Sequence, residues 1–405
     1  MNEDIRRQFP ALQRLHHGKP PVFLDGPAGT QVPESVIEAI SQYYRTSNAN
    51  SHGQFVTTHE TDALLEDTRV HLAALLNAAG GHTISFGQNM TSLTFSLSRA
   101  ISRLLRPGDE VLITQLDHEA NRAPWLSLRE QGIIVREVRL LPEGILDYED
   151  LEQKINERTR LLCMGYASNI LGTVNDVHLA RQLTHRVGAW LLLDAVHYTP
   201  PLPLDVQAIG CDFLLCSAYK FYGPHVGVLY TRPGLLDRLP TDRLRTAWQH
   251  APYSIETGTL NHAAIAGVRA AVQFIANLGE GDTLREQLMQ AMLRISRYER
   301  QLVQQLYDGL LDILGVSIHG ISMDKTVRAP TLAVTLAGRR PDDVCRFLAA
   351  HNICAWDGHF YAIRTTEVLG LLEQGGVTRL GISLYTTAEE VEYTLEIIRE
   401  LMGYN

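Results

Sequence analysis

Ser217-Ala-Tyr-Lys220-Phe-Tyr-Gly-Pro224 follows the apolar run Phe213-Leu-Leu-Cys216, and an earlier run, Trp190-Leu-Leu-Leu193, ends on Asp194-Ala-Val-His197. These two junctions decide the fold. Near-continuous apolar runs suit strands covered on both faces, so the lysine and the aspartate fall at strand C-termini, where open α/β sheets gather their chemistry. An amine and a carboxylate so placed suit an aldehyde cofactor. Pyridoxal phosphate needs a lysine for a Schiff base and a carboxylate beside its pyridine nitrogen, so that the ring can act as an electron sink. Lys220 is the candidate for the first role and Asp194 for the second. On these residues alone, a surface lysine and a helix-capping aspartate would be the commoner reading. The choice therefore rests on the segments around them.

From about residue 60 to 270, helix-like and strand-like segments alternate, the pattern of an α/β lobe with a mostly parallel sheet. Val111-Leu-Ile-Thr114, Ile133-Ile-Val135, Arg160-Leu-Leu-Cys-Met164 and Gly227-Val-Leu-Tyr230 complete the strand candidates. Ile265 to Ile275 reads as a buried helix, and the polar break Gly279-Glu-Gly-Asp282 precedes a long amphipathic helix from Thr283 to about Leu314. A strand at Thr331–Thr335, a helix from Pro341, a strand at Val377–Ser383 and a last helix follow. Thr387 with Glu390 forms a capping-box signature for that last helix. The expected organisation is an N-terminal segment, 1–24, packing on the small lobe; a large α/β lobe, 25–280; and a smaller C-terminal α+β lobe, 281–405.

Composition narrows the function. The 405 residues are 45% hydrophobic and 20% charged, with a formal net charge of -9. That leaves no basic surplus for a nucleic-acid backbone and no clustered Lys/Arg run. A small-molecule substrate is expected. No stretch reads as a membrane span or signal h-region, so a cytoplasmic location is the default expectation. The five cysteines, Cys163, Cys211, Cys216, Cys345 and Cys354, form no CxxC pair and have no zinc-site spacing, so reduced thiols and no metal are expected. No GxGxxG follows the early strands, which disfavours a nucleotide-dependent oxidoreductase.

With Lys220 and Asp194 placed, the chain resembles the class V aminotransferase and cysteine desulfurase family of fold-type-I pyridoxal phosphate enzymes. The resemblance runs from Leu24-Asp-Gly-Pro-Ala28 to Arg379. It is carried by Gly108-Asp-Glu110, Asp117-His118-Glu-Ala-Asn121 with Pro124-Trp125, Ser168-Asn169-Ile-Leu-Gly172, Asp194-Ala-Val-His197, Ser217-Ala-Tyr-Lys220 and Glu256-Thr-Gly258-Thr259. It implies that His118 stacks on the pyridine face, and that Asn169 and His197 face the phenolic oxygen. Asn89, Met90 and Thr91, at the start of a helix-like run, would bind the phosphate with Ser217. Thr259 would reach the phosphate from a neighbouring subunit, which makes a homodimer the expected active unit. Arg379 would grip the substrate's α-carboxylate, and His52 would be an active-site histidine of the N-terminal loop.

Four departures stand out. Glu119 replaces a second histidine, Tyr219 replaces a histidine near the phosphate, and Tyr361 in Gly358-His359-Phe360-Tyr361 falls where desulfurases carry the cysteine that takes sulfur as a persulfide. Trp356 falls at that segment's arginine. Cys354 reads as a core thiol. What remains is an enzyme on a small amino acid, with C–S lyase type β-elimination leading, and transamination or epimerisation as alternatives. His359 and Tyr361 are candidate acids. A cofactor-binding scaffold without turnover is a further alternative, disfavoured by the retained Lys220, Asp194, His118 and Arg379.

Overall fold

The computed structural model describes residues 3–199, 202–324 and 327–404. In chain order the strands are β1 (Val22–Phe23), β2 (Ile84–Gly87), β3 (Glu110–Thr114), β4 (Ile134–Val138), β5 (Thr159–Gly165), β6 (Trp190–Asp194), β7 (Phe213–Ser217), β8 (Gly227–Thr231), β9 (Val316–His319), β10 (Thr331–Leu336), β11 (Ile353–Cys354), β12 (Trp356–Gly358) and β13 (Val377–Gly381). A seven-stranded sheet has the order β2-β8-β7-β6-β5-β3-β4. Its pairings from β7 through β6, β5 and β3 to β4 are parallel, and only β8 pairs antiparallel with its neighbours β2 and β7.

Packing explains why these strands are apolar at nearly every position. Successive residues of β5 enter opposite cores: Leu162 and Met164 join one cluster with the helices Val56–Leu76 and His262–Ala276, while Leu161 and Cys163 join another with the helix Met90–Ser102 and Trp125. A strand covered on both faces leaves few positions for polar side chains.

The C-terminal part holds a four-stranded antiparallel sheet, β12-β13-β10-β9. The helix Leu284–Leu311 joins the two halves. Its first turns place Leu288, Met292 and Ile295 in the large core, and its later turns place Leu302, Leu306 and Leu310 in the core of the small sheet. A capping box of Thr283 and Glu286 starts it, and it stops at Leu311, before a turn through Gly315 at φ +88°. The last helix, Ala388–Leu401, carries the capping box expected from Thr387 and Glu390.

The segment before residue 25 divides its contacts. Val22 and Leu24 join the small-sheet core, with β1 parallel to β11. Phe9 instead enters the large core, its ring centroid 5.8 Å from Tyr222, 5.5 Å from Phe274 and 5.1 Å from Tyr385. An aromatic side chain at that position gains most where both lobes present rings. Among the described residues, no helix is long and apolar enough to cross a membrane.

Candidate functional site

Five strand ends converge on one cavity of about 310 Å³. It is lined by side chains just beyond β2, β3, β5, β6 and β7, by Pro27 and Ala28 from the N-terminal segment, and by Trp356, Phe360, Tyr361 and Arg379 from the C-terminal part. Two glycines allow the N-terminal segment to close on it. A Cβ on Gly381 would sit 2.1 Å from the Pro27 ring, and one on Gly26 would sit 2.1 Å from Ser383 Oγ.

Lys220 ends a short 3-10 turn after β7, and its Nζ donates to the carbonyl oxygen of Pro27. Burial pulls its pKa down to about 7; the Arg379 charge lowers it further and Asp194 opposes both. The Asp194 carboxylate closes β6 and accepts one hydrogen bond, from Val196 N at 3.0 Å. Burial raises it to about 6 against that bond and Lys220. Asp117 lies beneath, accepting from Gly165 N (2.5 Å) and Thr114 N (3.2 Å), and so ties the ends of β5 and β3 together. Burial pushes it to about 7.

Both imidazoles that line the cavity are held neutral. His118 Nδ1 accepts from Ala120 N at 2.9 Å, which fixes the ring plane; burial, then the charges of Lys220 and Arg379, pull its pKa to about 4. His197, shifted down by burial and the same two cations, has Nε2 3.0 Å from Thr331 Oγ1.

The helix Met90–Ser102 points its N-terminus at the cavity. Asn89 caps it by accepting from Ser92 N (2.8 Å), and Met90 N donates to Ser217 Oγ (3.3 Å). Gly227 makes this approach possible, because a Cβ there would lie 2.4 Å from the Asn89 carbonyl carbon. The free N–H groups of a helix start and a neighbouring hydroxyl are the donors that a phosphate needs.

Across the cavity, Arg379 Nη1 donates to the Asn169 carbonyl (2.9 Å), and its guanidinium lies 4.0 Å from the Phe360 ring centroid. Asn169 Nδ2 in turn donates to the Phe360 carbonyl (2.8 Å). Burial pulls Arg379 below the usual guanidinium range, countered by Asp25 and Tyr219.

The structure thus brings together Lys220, Asp194, His118, His197, Asn169, Ser217, Tyr219, Asn89, Met90, Thr91, Tyr361 and Arg379. It does not place His359 in the lining; that ring accepts from Tyr361 N at 3.1 Å. His52 and Thr259 also lie elsewhere, together, on a second cavity of about 300 Å³ with Trp248 and Glu256. Sequence reading missed Pro27 and Asn175 as lining residues, and assigned no role to Asp117. Pro27 acts through a backbone carbonyl, which leaves no trace in residue type.

None of the five cysteines lines the main cavity. Among the described residues, no group of three or more His, Cys, Asp or Glu could hold a metal ion. The residues present do fit pyridoxal phosphate. They offer an amine of lowered pKa for the aldehyde, a buried carboxyl for the ring nitrogen and a helix start with a hydroxyl for the phosphate. In addition, two buried oxygens of lining residues, Asn169 Oδ1 and Asn175 Oδ1, have no hydrogen-bond partner among the described residues, and buried acceptors are rarely left so.

Comparison with known proteins agrees with this donor set. The family model described as Aminotransferase class-V matches residues 22–394. A cysteine desulfurase of Klebsiella pneumoniae is 32% identical over 420 residues, 99% of both chains. Another, of Pectobacterium atrosepticum, is 31% identical, covering 99% of this chain and 98% of that one. Among solved structures, a cysteine desulfurase of Escherichia coli in an S-sulfonic acid form superimposes with a TM-score of 0.86 at 28% identity, covering 99% of this chain and 98% of that one. The apo cysteine desulfurase of Thermococcus onnurineus gives 0.88 at 25%, with the same coverage. The chain belongs to the class-V aminotransferase family and is a cysteine desulfurase-like, pyridoxal-phosphate-dependent enzyme of fold type I.

Proposed function

We propose that this member of the class-V aminotransferase family is a β-eliminating C–S lyase that works on a cysteine-type amino acid without a persulfide cysteine. The observation that carries the reading is where the thiols are. None of the five lines the cavity, Tyr361 does, and four of the five are buried. Burial raises every one of them: Cys216 and Cys345 to about 12, Cys354 to about 11, with Cys163 and Cys211 also pushed up. A thiolate is the sulfur nucleophile, and at neutral pH this chain offers none beside the substrate.

In this reading Lys220 anchors the cofactor aldehyde, Asp194 partners the ring nitrogen, and His118 covers one ring face. Asn169 and His197 stand at the phenolic oxygen, and Asn89, Met90, Thr91, Ser217 and Tyr219 at the phosphate end. Once bound, the cofactor supplies an electron sink for the charge that builds at the substrate's Cα. Arg379 binds the α-carboxylate and so orients the Cα–H bond. The Lys220 amine, neutral for half the molecules near pH 7, takes the Cα proton as general base. The Cβ–S bond then breaks with its electron pair leaving on sulfur, and the Tyr361 hydroxyl is the proposed acid for that sulfur. With one water, the net products are pyruvate, ammonia and a thiol. Transamination and epimerisation share the first proton transfer and differ only in where the proton returns.

The reading extends to a homodimer of chains with lobes at 25–280 and 281–405. His52 and Thr259 share a cavity outside the main site of their own chain, which supports their serving the site of a second copy.

Intact-mass analysis of the protein after turnover of L-cysteine tests the proposal. No added sulfur, with pyruvate accumulating, is expected. Sulfur on any of the five cysteines, with alanine as product, would overturn it.

A further inference from the structure

The charged groups that line the cavity are few, and all are engaged. Asp117 holds two backbone N–H groups, Asp194 holds Val196 N and faces Lys220, and Lys220 holds the Pro27 carbonyl. Arg379 remains as the cation for an α-carboxylate. Among the described residues, no further charged side chain lines the cavity. A substrate side chain bearing its own charge would therefore find no ion-pair partner there.

The open side of the cavity is aromatic instead. Trp356 on β12 stands directly opposite Arg379 on β13 in the antiparallel register, which puts the two Cβ atoms about 5 Å apart on one face. Phe360 covers the Arg379 guanidinium from another side. Tyr361 follows, its ring centroid 5.4 Å from that of His118. Both outer rings are only partly covered by protein: Trp356 is 53% exposed and Tyr361 67%.

This wall is held in place. Phe360 and Tyr361 both adopt left-handed backbone conformations, at φ +51° and +58°, which non-glycine residues keep only where surroundings impose them. The constraints come from the large lobe: Asn169 Nδ2 holds the Phe360 carbonyl, and Glu119 N donates to the Tyr361 carbonyl at 2.7 Å. A fixed aromatic face beside a carboxylate clamp is preorganised for an apolar group attached to the same amino acid.

We propose that the side chain of the substrate is an uncharged aryl or alkyl thioether, an S-substituted cysteine, that packs on Trp356 at the mouth of the cavity. The assignment deepens the elimination reading and rests on it. Cleavage of such a substrate breaks the Cβ–S bond and releases the S-substituent as a thiol, with pyruvate and ammonia as the other products.

The test is titration of the holoenzyme with S-phenyl-L-cysteine, L-cysteine and L-cysteinesulfinate, followed by the near-visible absorbance change on binding. S-phenyl-L-cysteine is expected to bind about tenfold tighter than L-cysteine, with the sulfinate weakest. Trp356→Ala is expected to remove most of that preference and Trp356→Phe to restore part of it, a rescue that a purely structural role would not give. Equal binding of the phenyl compound and L-cysteine by the wild type, or a preference that survives Trp356→Ala, would overturn the assignment. Formation of pyruvate from β-chloro-L-alanine is measured alongside. Its absence would sink elimination as the reaction, and the titration would still decide what the aromatic wall selects.

Discussion

Lys220 is expected to capture the cofactor aldehyde with a pH dependence unlike that of an ordinary lysine. Only the neutral amine attacks an aldehyde. An ordinary amine at pKa 10.5 is neutral in about one molecule in three thousand at pH 7, whereas Lys220, lowered to about 7, is neutral in about half. The sign follows from the causes. Burial disfavours the charged form and Arg379 repels it, and together they outweigh the attraction of Asp194. Stopped-flow absorbance of cofactor-free protein mixed with pyridoxal phosphate measures the capture rate, with N-acetyl-lysine as the reference amine subject to the cofactor's own titrations. Relative to that reference, the protein's rate should rise up to about pH 7 and then level off. Arg379→Met removes the neighbouring cation, so the midpoint should move upward. A rate that keeps climbing in parallel with N-acetyl-lysine well above pH 7 would refute the reasoning, because it would place Lys220 in contact with water rather than in the desolvated pocket beneath Pro27.

Two further outcomes follow from other parts of the molecule. Arg69, 1% exposed, donates to Glu256 at 2.8 and 3.0 Å and to the Ile84 carbonyl at 2.7 Å, while Glu256 also accepts from Phe86 N at 2.7 Å. Glu256→Ala leaves that buried guanidinium with only the half-exposed Glu66, 3.2 Å from its Nε, as an ion-pair partner and should cost up to about 3–5 kcal/mol, whereas the double replacement Arg69→Met with Glu256→Leu should cost far less; urea denaturation midpoints measure both. Tyr361→Phe should lower kcat on an alkyl thioether by about 100-fold, the usual scale of a general acid. It should act much less on β-chloro-L-alanine, whose chloride leaves without a proton, and steady-state kinetics on the two substrates separate the cases.

How much of this was legible before the fold was seen depends on what each residue does. The strands β5, β6 and β7 could be read directly, because burial on both faces forces Leu161, Leu162, Cys163 and their neighbours to be apolar without interruption. β9 and β12 could not, since they are short and only half covered, and Val316–His319 and Trp356–Gly358 carry no such run. Asp194 stood out because a charged residue that closes an apolar strand needs a reason, and Lys220 because it comes three residues after the end of the next such strand. Pro27 gave no signal, because its contribution is a carbonyl brought near by the close approach of Gly381. Asn175 was hidden for a related reason. Its Nδ2 bonds the Gly165 carbonyl at 2.7 Å across a loop whose path only the folded chain reveals. His52 and Thr259 were marked by resemblance alone, and their shared place on a second cavity is a property of the surface that no local pattern encodes.

The fate of the substrate carbon tests the central claim most directly. The holoenzyme is incubated with L-cysteine isotopically labelled at Cβ, and separately with S-phenyl-L-cysteine, in deuterated water, and the products are read by NMR. Elimination predicts pyruvate carrying deuterium in its methyl group, with sulfide or thiophenol and ammonia in equal amounts. Labelled alanine from L-cysteine, with the sulfur retained on the protein, would contradict it and return the chain to persulfide chemistry.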